Sequence, residues 1–183
     1  SENNMLVEDA LSRVQSILEL EPLPEQETKK NTVDYSIKLD NVTFRYDSAD
    51  RDAVSGISLG IPQGKHVAFV GPSGGGKSTT AALIARFFDV KSGSISIGGV
   101  NIKDIPKAQL NDMIAYVFQN NKLLKMSIRE NLKLAKPDAT DEELKRALHL
   151  AQCDDIIAKL SKGIDTQLGT HGTYLSGGET QRI

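Results

Sequence analysis

A glycine-rich segment in the first half of the sequence has the residue types and spacing of a phosphate-binding loop. It consists of Gly71, Pro72, Ser73, Gly74, Gly75, Gly76, Lys77, Ser78 and Thr79. The order matches G-x-x-x-x-G-K-[ST], in which glycines without a Cβ let successive backbone N–H groups turn inward around a phosphate. Lys77 is expected to reach the β- and γ-phosphates of a nucleoside triphosphate, and the Ser78 hydroxyl to ligate Mg²⁺.

The segments on either side of this loop predict the strand and the helix that must position it. Residues 66–70 form a continuous apolar run, which is typical of a strand buried on both faces of a sheet. Residues 80–88 carry an apolar stripe, so a helix should follow the loop and add the partial positive charge of its N-terminus. The alternative is a glycine-rich turn that only connects a strand to a helix, and it does not account for the Lys77-Ser78 ending.

A second glycine-containing segment lies about 100 residues further along the chain. It consists of Leu175, Ser176, Gly177, Gly178, Glu179, Thr180, Gln181 and Arg182. Ser176 and Glu179 have the spacing of a capping box, which could simply begin a helix. Similar boxes begin at Ser127 and Thr140, where we take capping as the whole interpretation. At Ser176 the two consecutive glycines and the preceding leucine argue against capping as the whole interpretation.

The residues before the loop predict two strands, a helix and a linker. One alternating pattern runs through residues 35–46, with a bend near Asp40 and Asn41, and another through residues 57–61. Residues 7–18 have apolar side chains at three- and four-residue steps, which predicts an amphipathic helix. Residues 21–31 contain two prolines and many charges, and are typical of a linker.

Composition limits the classes of function. The chain has 183 residues, of which 39% are hydrophobic and 25% charged, and this fits one soluble domain with a sizeable core. With 22 basic and 24 acidic residues the net charge is -2, so we expect no nucleic-acid partner. Cys153 is the only cysteine, which excludes an intrachain disulfide and a cysteine-rich zinc site. No apolar run approaches the ~20 residues of a membrane span.

Together, the phosphate loop and residues 175–182 resemble the nucleotide-binding domains of ATP-binding-cassette (ABC) transporters, in which the second segment is the signature motif. Residues 116–119 predict a strand that ends in a polar amide, and they are similar to the Q-loop of that family, in which Gln119 would contact the Mg²⁺. Tyr46, 25 positions before Gly71, resembles the A-loop aromatic residue that stacks on adenine. Each of the last two features has a plainer interpretation by itself, as a loop glutamine and a half-buried strand tyrosine.

The resemblance implies an α/β fold: a P-loop NTPase core with an antiparallel β subdomain and an α-helical subdomain. Residues 32–183 would form the ABC domain, with the helical part from about 120 to 183. ATP and Mg²⁺ are the implied ligands, with Lys77 and Gln119 as catalytic residues and Ser78 and Gln119 at the metal. The resemblance also implies a head-to-tail dimer, in which Ser176, Gly177, Gly178 and Glu179 bind the γ-phosphate held by a second nucleotide-binding domain.

Several segments resemble the exporter branch of the family. Residues 127–132 look like exporter sequence entering the helical subdomain, and residues 1–31 are similar to the junction that follows the last membrane helix. A transmembrane domain N-terminal on the same chain, at the cytoplasmic face of the cell membrane, is therefore implied. Residues 165–172 depart from the pattern of exporters, because Gln167, Thr170 and His171 replace charged residues.

One expected feature of an ABC ATPase does not occur in the sequence. No apolar run followed by Asp-Glu follows Gly71, although the family uses such a strand to hold Mg²⁺ and to supply the general base. The resemblance therefore implies a fold without the C-terminal strands after the signature helix, and a chain that binds nucleotide without hydrolysing it. In the family that strand lies beside the phosphate-loop strand, so we expect an exposed sheet edge and a free chain that is marginally stable or self-associates.

A non-transport ABC-type ATPase, of the chromosome-maintenance or ribosome-associated kind, is the alternative. Such proteins would carry a coiled-coil insertion or tandem cassettes and a more basic surface, and the sequence has neither feature. The resemblance does not specify the transported substrate, the direction of transport or the choice between a homodimer and a heterodimer, because the membrane domain selects the cargo.

Overall fold

The computed structural model describes residues 12, 14–16, 18, 19, 21–119, 121–169 and 174–183. The chain divides into two compact units, the first ending at Ala115 and the second running from Tyr116 to Ile183. Each unit has its own cluster of buried apolar side chains.

The first unit contains a four-stranded antiparallel sheet in the order β2-β1-β3-β4. Its strands are β1 (Ile37–Phe44), β2 (Val54–Ile61), β3 (Ser92–Ile97) and β4 (Val100–Asn101). The alternation predicted for β1 is confirmed, since Leu39, Val42 and Phe44 are buried. These side chains face a core in which the helices of the unit also take part.

The bend predicted near Asp40 and Asn41 is a β-bulge. One extra residue of β1 lies between the pairs Leu39–Leu59 and Val42–Ile57, and Asn41 has a φ of 48°. Gly93 on β3 accommodates the bulge, because a Cβ at that position would lie 2.3 Å from the carbonyl oxygen of Asn41. The bulge thus explains a glycine inside a strand.

Two α-helices and a short 3-10 helix lie in the part of the first unit that follows β1. The helices are α1 (Lys77–Ile84) and α2 (Lys107–Met113), and the 3-10 helix spans Ile102–Asp104. Leu83 of α1 and Leu110 of α2 are buried in the same core as the sheet. The helix predicted after the phosphate loop is therefore confirmed, with one face against the sheet.

The strand predicted for residues 66–70 is wrong. This run has no regular secondary structure, and Val67 and Val70 are 52% and 92% exposed. A strand needs a neighbour that takes up its N–H and C=O groups, and none of the described strands pairs with this run. Residues 116–118 of the second unit, also predicted as a strand, form none for the same reason, and Val117 is 65% exposed.

The second unit is helical. Its α-helices are α3 (Ile128–Lys133), α4 (Asp141–Leu150), α5 (Asp154–Ala158) and α6 (Gly177–Arg182), with a 3-10 helix at Gly163–Asp165. The buried side chains of Leu148, Cys153 and Ile156 form its core, and Leu175 and Ile183 pack against them from either end of α6. Cys153 is therefore a small buried apolar residue.

At the start of the chain, the described residues between 12 and 18 are helical, and the rest of the helix predicted for residues 7–18 lies outside the described residues. Residues 21–31 contain neither helix nor strand. Among the residues that the structure describes, no helix combines the length and the apolar character needed to cross a membrane.

Candidate functional site

The phosphate loop leads directly into α1. The backbone N–H of Gly75 donates to the carbonyl oxygen of Pro72 at 3.1 Å, which closes a turn. The buried Thr80 fixes the loop to the helix, because both its N–H and its Oγ1 donate to the carbonyl oxygen of Gly76 at 2.8 Å. The last part of the loop is therefore held by bonds within the loop and the first turn of α1.

Gly76, the residue before α1, cannot be replaced by a residue with a side chain without disturbing the loop. Its φ is 76°, in the left-handed region that favours glycine. A Cβ would lie 2.5 Å from the carbonyl oxygen of Ala53 and 3.3 Å from a methyl group of Val54. The loop thus rests on the start of β2 at a distance that only glycine permits.

The N-terminus of α1 has the features of an anion site. Among the described residues no side chain caps this helix, and its first turn contains no acidic residue. Gly71 to Gly75 are exposed beside it. Uncapped backbone N–H groups and a positive helix end suit a phosphate, so the cradle fits the polyphosphate of a nucleotide.

Lys77 folds back over the loop. Its Nζ donates to the carbonyl oxygens of Gly71 at 3.0 Å and Pro72 at 2.7 Å. These neutral carbonyl oxygens hold the ammonium group beside the loop. Charged phosphate oxygens would form stronger bonds with it than the carbonyl oxygens do, so the lysine is placed to exchange these partners for a bound phosphate.

The structure brings Tyr46 to the same loop. The side-chain oxygens of Tyr46 and Thr79 are 3.1 Å apart and share a hydrogen bond. The ring meets those of Phe44 and Phe88 edge-on, with centroids 4.9 and 5.3 Å away. Tyr46 is half-buried, as the plainer interpretation requires, but its hydroxyl is also tied to the phosphate loop.

An open cleft of about 230 Å³ lies beside the phosphate loop and the start of α1. Phe69 and Val70 of the unpaired run form one wall, and Ile57 and Leu59 of β2 form another. Lys77 and Thr80 also reach it. The apolar residues beside the loop are therefore accessible.

Ser176 begins α6 with a complete capping box. Its Oγ accepts from the N–H of Glu179 at 3.3 Å, and the Glu179 carboxylate accepts from the N–H of Ser176 at 2.8 Å. The backbone N–H of Ser176 is the main cause that lowers the pKa of Glu179, and the Ser176 hydroxyl adds to it. The capping interpretation is thus confirmed for the local structure, as it is at Ser127 and Thr140.

The hydroxyl groups of Ser127 and Ser176 differ in exposure. Oγ of Ser127 accepts from the N–H of Glu130 and also donates to the Glu130 carboxylate at 2.7 Å, and Ser127 is buried. Oγ of Ser176 accepts from the N–H of Glu179 and lowers the pKa of the Glu179 carboxylate, but Ser176 is exposed. The Ser176 hydroxyl is therefore accessible from outside.

The remaining predicted site residues are accessible but less defined. Ser78 is exposed in the first turn of α1, and Gln119 is exposed in the second unit. Gln167 forms an isolated β-bridge with Ser127. Thr170, His171 and Gly172 lie outside the described residues.

Sequence reasoning missed Arg182, which fixes the C-terminal end of α6. Its guanidinium donates to the carboxylate of Asp155 at 3.1 Å and to the carbonyl oxygen of Gln152. It lowers the pKa of Asp155 by this bond. The partners lie 27 and 30 residues away, so no local pattern could have indicated them.

Comparison with known proteins agrees with this geometry. The family model described as ABC transporter matches residues 54–183. A protein of Staphylococcus aureus strain NCTC 8325, named as a multidrug export ATP-binding/permease protein, is 46% identical over 147 residues. The corresponding protein of the bovine strain RF122 is 44% identical over the same length.

A solved structure, that of a bacterial Atm1-family ABC exporter with ATP bound, matches 94% of this chain and 30% of its own chain. Its TM-score is 0.82 at 34% identity. The fold class predicted from the sequence is therefore confirmed. The aligned residues make up 80% of this chain but 25% of each Staphylococcus aureus relative, so the chain spans about a quarter of their length. On these matches the chain belongs to the ABC transporter family, and it carries that family's ATP-binding domain.

Proposed function

We propose that the chain is the ATP-binding domain of an exporter, which couples ATP binding and hydrolysis to the movement of a substrate across a membrane. The observation that carries this is the phosphate loop. Gly76 lets the loop rest against the start of β2 at a distance that a Cβ would not allow, and Lys77 stands over the loop. ATPase activity in general belongs to the family, and the relatives named as multidrug export proteins support the exporter branch.

Each loop residue then has a role. The backbone of Gly71 to Thr79 surrounds the phosphates, and Lys77 exchanges its carbonyl partners for phosphate oxygens. Tyr46 offers its ring to the adenine. The Ser78 hydroxyl and the Gln119 amide oxygen are ligands of the kind that Mg²⁺ takes, and the ion when bound neutralises charge on the β- and γ-phosphates.

A second domain completes the site in this proposal. The exposed Ser176 hydroxyl would donate to the γ-phosphate of ATP held by the partner domain, and Gly177 and Gly178 would permit its close approach. Residues 1–31 would be the helix and linker from a transmembrane domain, and residues 32–183 the nucleotide-binding domain at the cytoplasmic face. Hydrolysis would need an Asp-Glu pair at the end of an apolar strand, and no apolar run after Gly71 ends in such a pair.

The test of the nucleotide site is Lys77→Ala. At a concentration of ATP of ~100 times its dissociation constant, wild-type protein should gain about 2.7 kcal/mol in the free energy of unfolding. Lys77→Ala should lose that gain, because the loop loses its only cationic side chain. Lys65→Ala, an exposed lysine before the loop, is the matched control and should keep the gain. An ATP-dependent gain that persists in Lys77→Ala would contradict the site.

Turnover is tested separately. We expect the 183-residue chain with ATP and Mg²⁺ to release phosphate no faster than the Lys77→Ala variant, since no apolar run after Gly71 ends in the Asp-Glu pair that would supply the general base. Steady phosphate release above that control would show that the chain hydrolyses ATP by itself.

A further inference from the structure

The linker before the sheet is fastened to the first unit at two points, although it contains neither helix nor strand. Nη2 of Arg86 donates to the carbonyl oxygen of Pro24 at 2.8 Å. Gln109 of α2 binds the backbone of Lys30 in both directions: its Oε1 accepts from the Lys30 N–H at 2.9 Å, and its Nε2 donates to the Lys30 carbonyl at 2.6 Å. The amide side chain, with one acceptor and two donors, thus replaces a neighbouring strand.

Arg86 is held in place by the folded unit as well as by the linker. Its side chain is only 6% exposed. Nε donates to the carboxylate of Asp89 at 3.0 Å, and Nη1 donates to the carbonyl oxygen of Ile102 at 3.4 Å. These bonds orient the planar guanidinium, so that Nη2 points at the linker.

The backbone of Arg86 is joined to the end of α1. Its N–H donates to the carbonyl oxygen of Leu83, and the N–H of Phe87 donates to that of Ala82, both at 3.0 Å. This is the pattern of a Schellman motif, in which Arg86 holds the left-handed position, at a φ of 54°, where glycine is usual. The contacts of the guanidinium offset the strain of a side chain at that φ.

Between these two fastenings the linker does not fill the surface beneath it. Linker and domain enclose an open cleft of about 390 Å³, with Leu23 on one side and Phe87 and Leu110 on the other. The linker is therefore held by a few polar bonds at its two ends rather than by a closely packed apolar interface. Such a contact can tighten or loosen at small cost.

We propose that residues 22–30 form a strap that Arg86, at the C-terminal end of α1, and Gln109, on α2, lock onto the first unit, and that phosphate binding at the other end of α1 tightens the strap. The helix of eight residues is about 12 Å long, and it carries the phosphate loop at its start and the Arg86 anchor at its end. A ligand that rigidifies the loop restrains the whole helix and its anchor. Arg86 and Gln109 are positioning residues in this scheme, which rests on the proposed function for its ligand.

Hydrogen–deuterium exchange of the 183-residue chain tests the strap. Without ATP, Gln109→Ala should speed exchange of the Lys30 amide by about fivefold or more, since both bonds to Lys30 are lost, including the one from its N–H. In wild type, ATP with Mg²⁺ should slow exchange across residues 22–31. Gln109→Ala should lose this ATP-dependent slowing, yet bind ATP with a dissociation constant within about twofold of wild type. A merely structural role of Gln109 would not predict the loss of slowing together with unchanged binding.

Three further variants sharpen the result. Gln109→Glu keeps an acceptor for the Lys30 N–H but loses the donor, so its exchange should lie between wild type and Gln109→Ala. Arg86→Ala should speed amide exchange in the linker around Pro24. If the buried arginine is needed for folding, Gln109→Ala still tests the strap. Lys103→Ala is the control, because Lys103 approaches Asp89 at 4.0 Å and is exposed, and it should exchange like wild type.

The outcomes separate the strap from the proposed function. Equal Lys30 exchange in wild type and Gln109→Ala would show that the linker is not locked, and would overturn the inference. ATP that binds the wild type without slowing linker exchange would overturn the coupling while leaving the nucleotide site intact. Absence of ATP binding would refute the proposed function and the coupling together, and the comparison without ATP would still decide whether the strap is docked.

Discussion

The helices α1 and α6 both begin in glycine-rich sequence, but their first turns are built in different ways. The first turn of α1 follows Gly76, which packs against Ala53 and leaves the helix without a side-chain cap among the described residues. The first turn of α6 is capped by Ser176 and Glu179, because the side chain of each residue accepts a hydrogen bond from the backbone N–H of the other. One N-terminus is therefore open to a ligand, while the other already holds its own carboxylate.

The glycines of the two helices differ in the same way. Gly76 is required by its φ and by the close contact with β2. Among the described residues, a Cβ on Gly177 or Gly178 would meet no atom within 4 Å, so the described packing of the second unit does not require glycine at either position. The proposed partner nucleotide would give these two glycines a role, because it would approach α6 from outside.

The largest expected effect comes from placing alanine at each helix start. Gly76→Ala should destabilise the protein by about 2 kcal/mol or more, because the new Cβ is in a left-handed backbone and in collision with a carbonyl oxygen. Gly177→Ala should stabilise it by up to about 1 kcal/mol, as alanine does in a helix. Urea unfolding of both variants measures the difference. The same sign for both changes would contradict the contrast between the two helices.

A smaller effect is expected when the cap of α6 is removed. Ser176→Ala should cost about 1 kcal/mol of local stability and speed exchange of the Glu179 amide, since the acceptor on Oγ is lost. Ser127→Ala should cost more, because that hydroxyl is buried and both donates and accepts. If the two serine variants were equal, the difference that we describe between their hydroxyl groups would be wrong.

The smallest effect is a dependence on pH that belongs to α6 and not to α1. The cap lowers the pKa of Glu179 in the folded state, so its contribution to stability is present above the ordinary glutamate pKa of ~4.3 and is lost as pH falls through the folded value. In the Glu179→Gln variant, the stability of α6 should therefore decline less as the pH falls below ~4.5. Amide exchange of α6 measures this decline. Ser176→Ala should keep most of the pH dependence, because the backbone N–H of residue 176 remains the main partner of the carboxylate.

Local patterns predicted the parts of the molecule that depend on local contacts. The three capping boxes, the bend at Asn41 and the helix after the phosphate loop follow from residues within a few positions of each other. Residues 66–70 and 116–118 failed because a strand depends on hydrogen bonds from a distant segment. Among the candidate site residues, the loop was evident from its spacing, whereas the bond between Tyr46 and Thr79 joins residues 33 positions apart and only the resemblance brought Tyr46 into consideration.

That bond also gives the molecule an optical property. The chain has four tyrosines and no tryptophan, so its ultraviolet emission comes from phenol rings, without the energy transfer that indole groups would cause. The ring of Tyr46 is fixed by two aromatic neighbours, and its hydroxyl is bonded at the first turn of the helix that carries the phosphate loop. The occupancy of the loop should therefore alter tyrosine fluorescence and near-ultraviolet circular dichroism, so that the unmodified protein can report its own nucleotide binding without an attached dye.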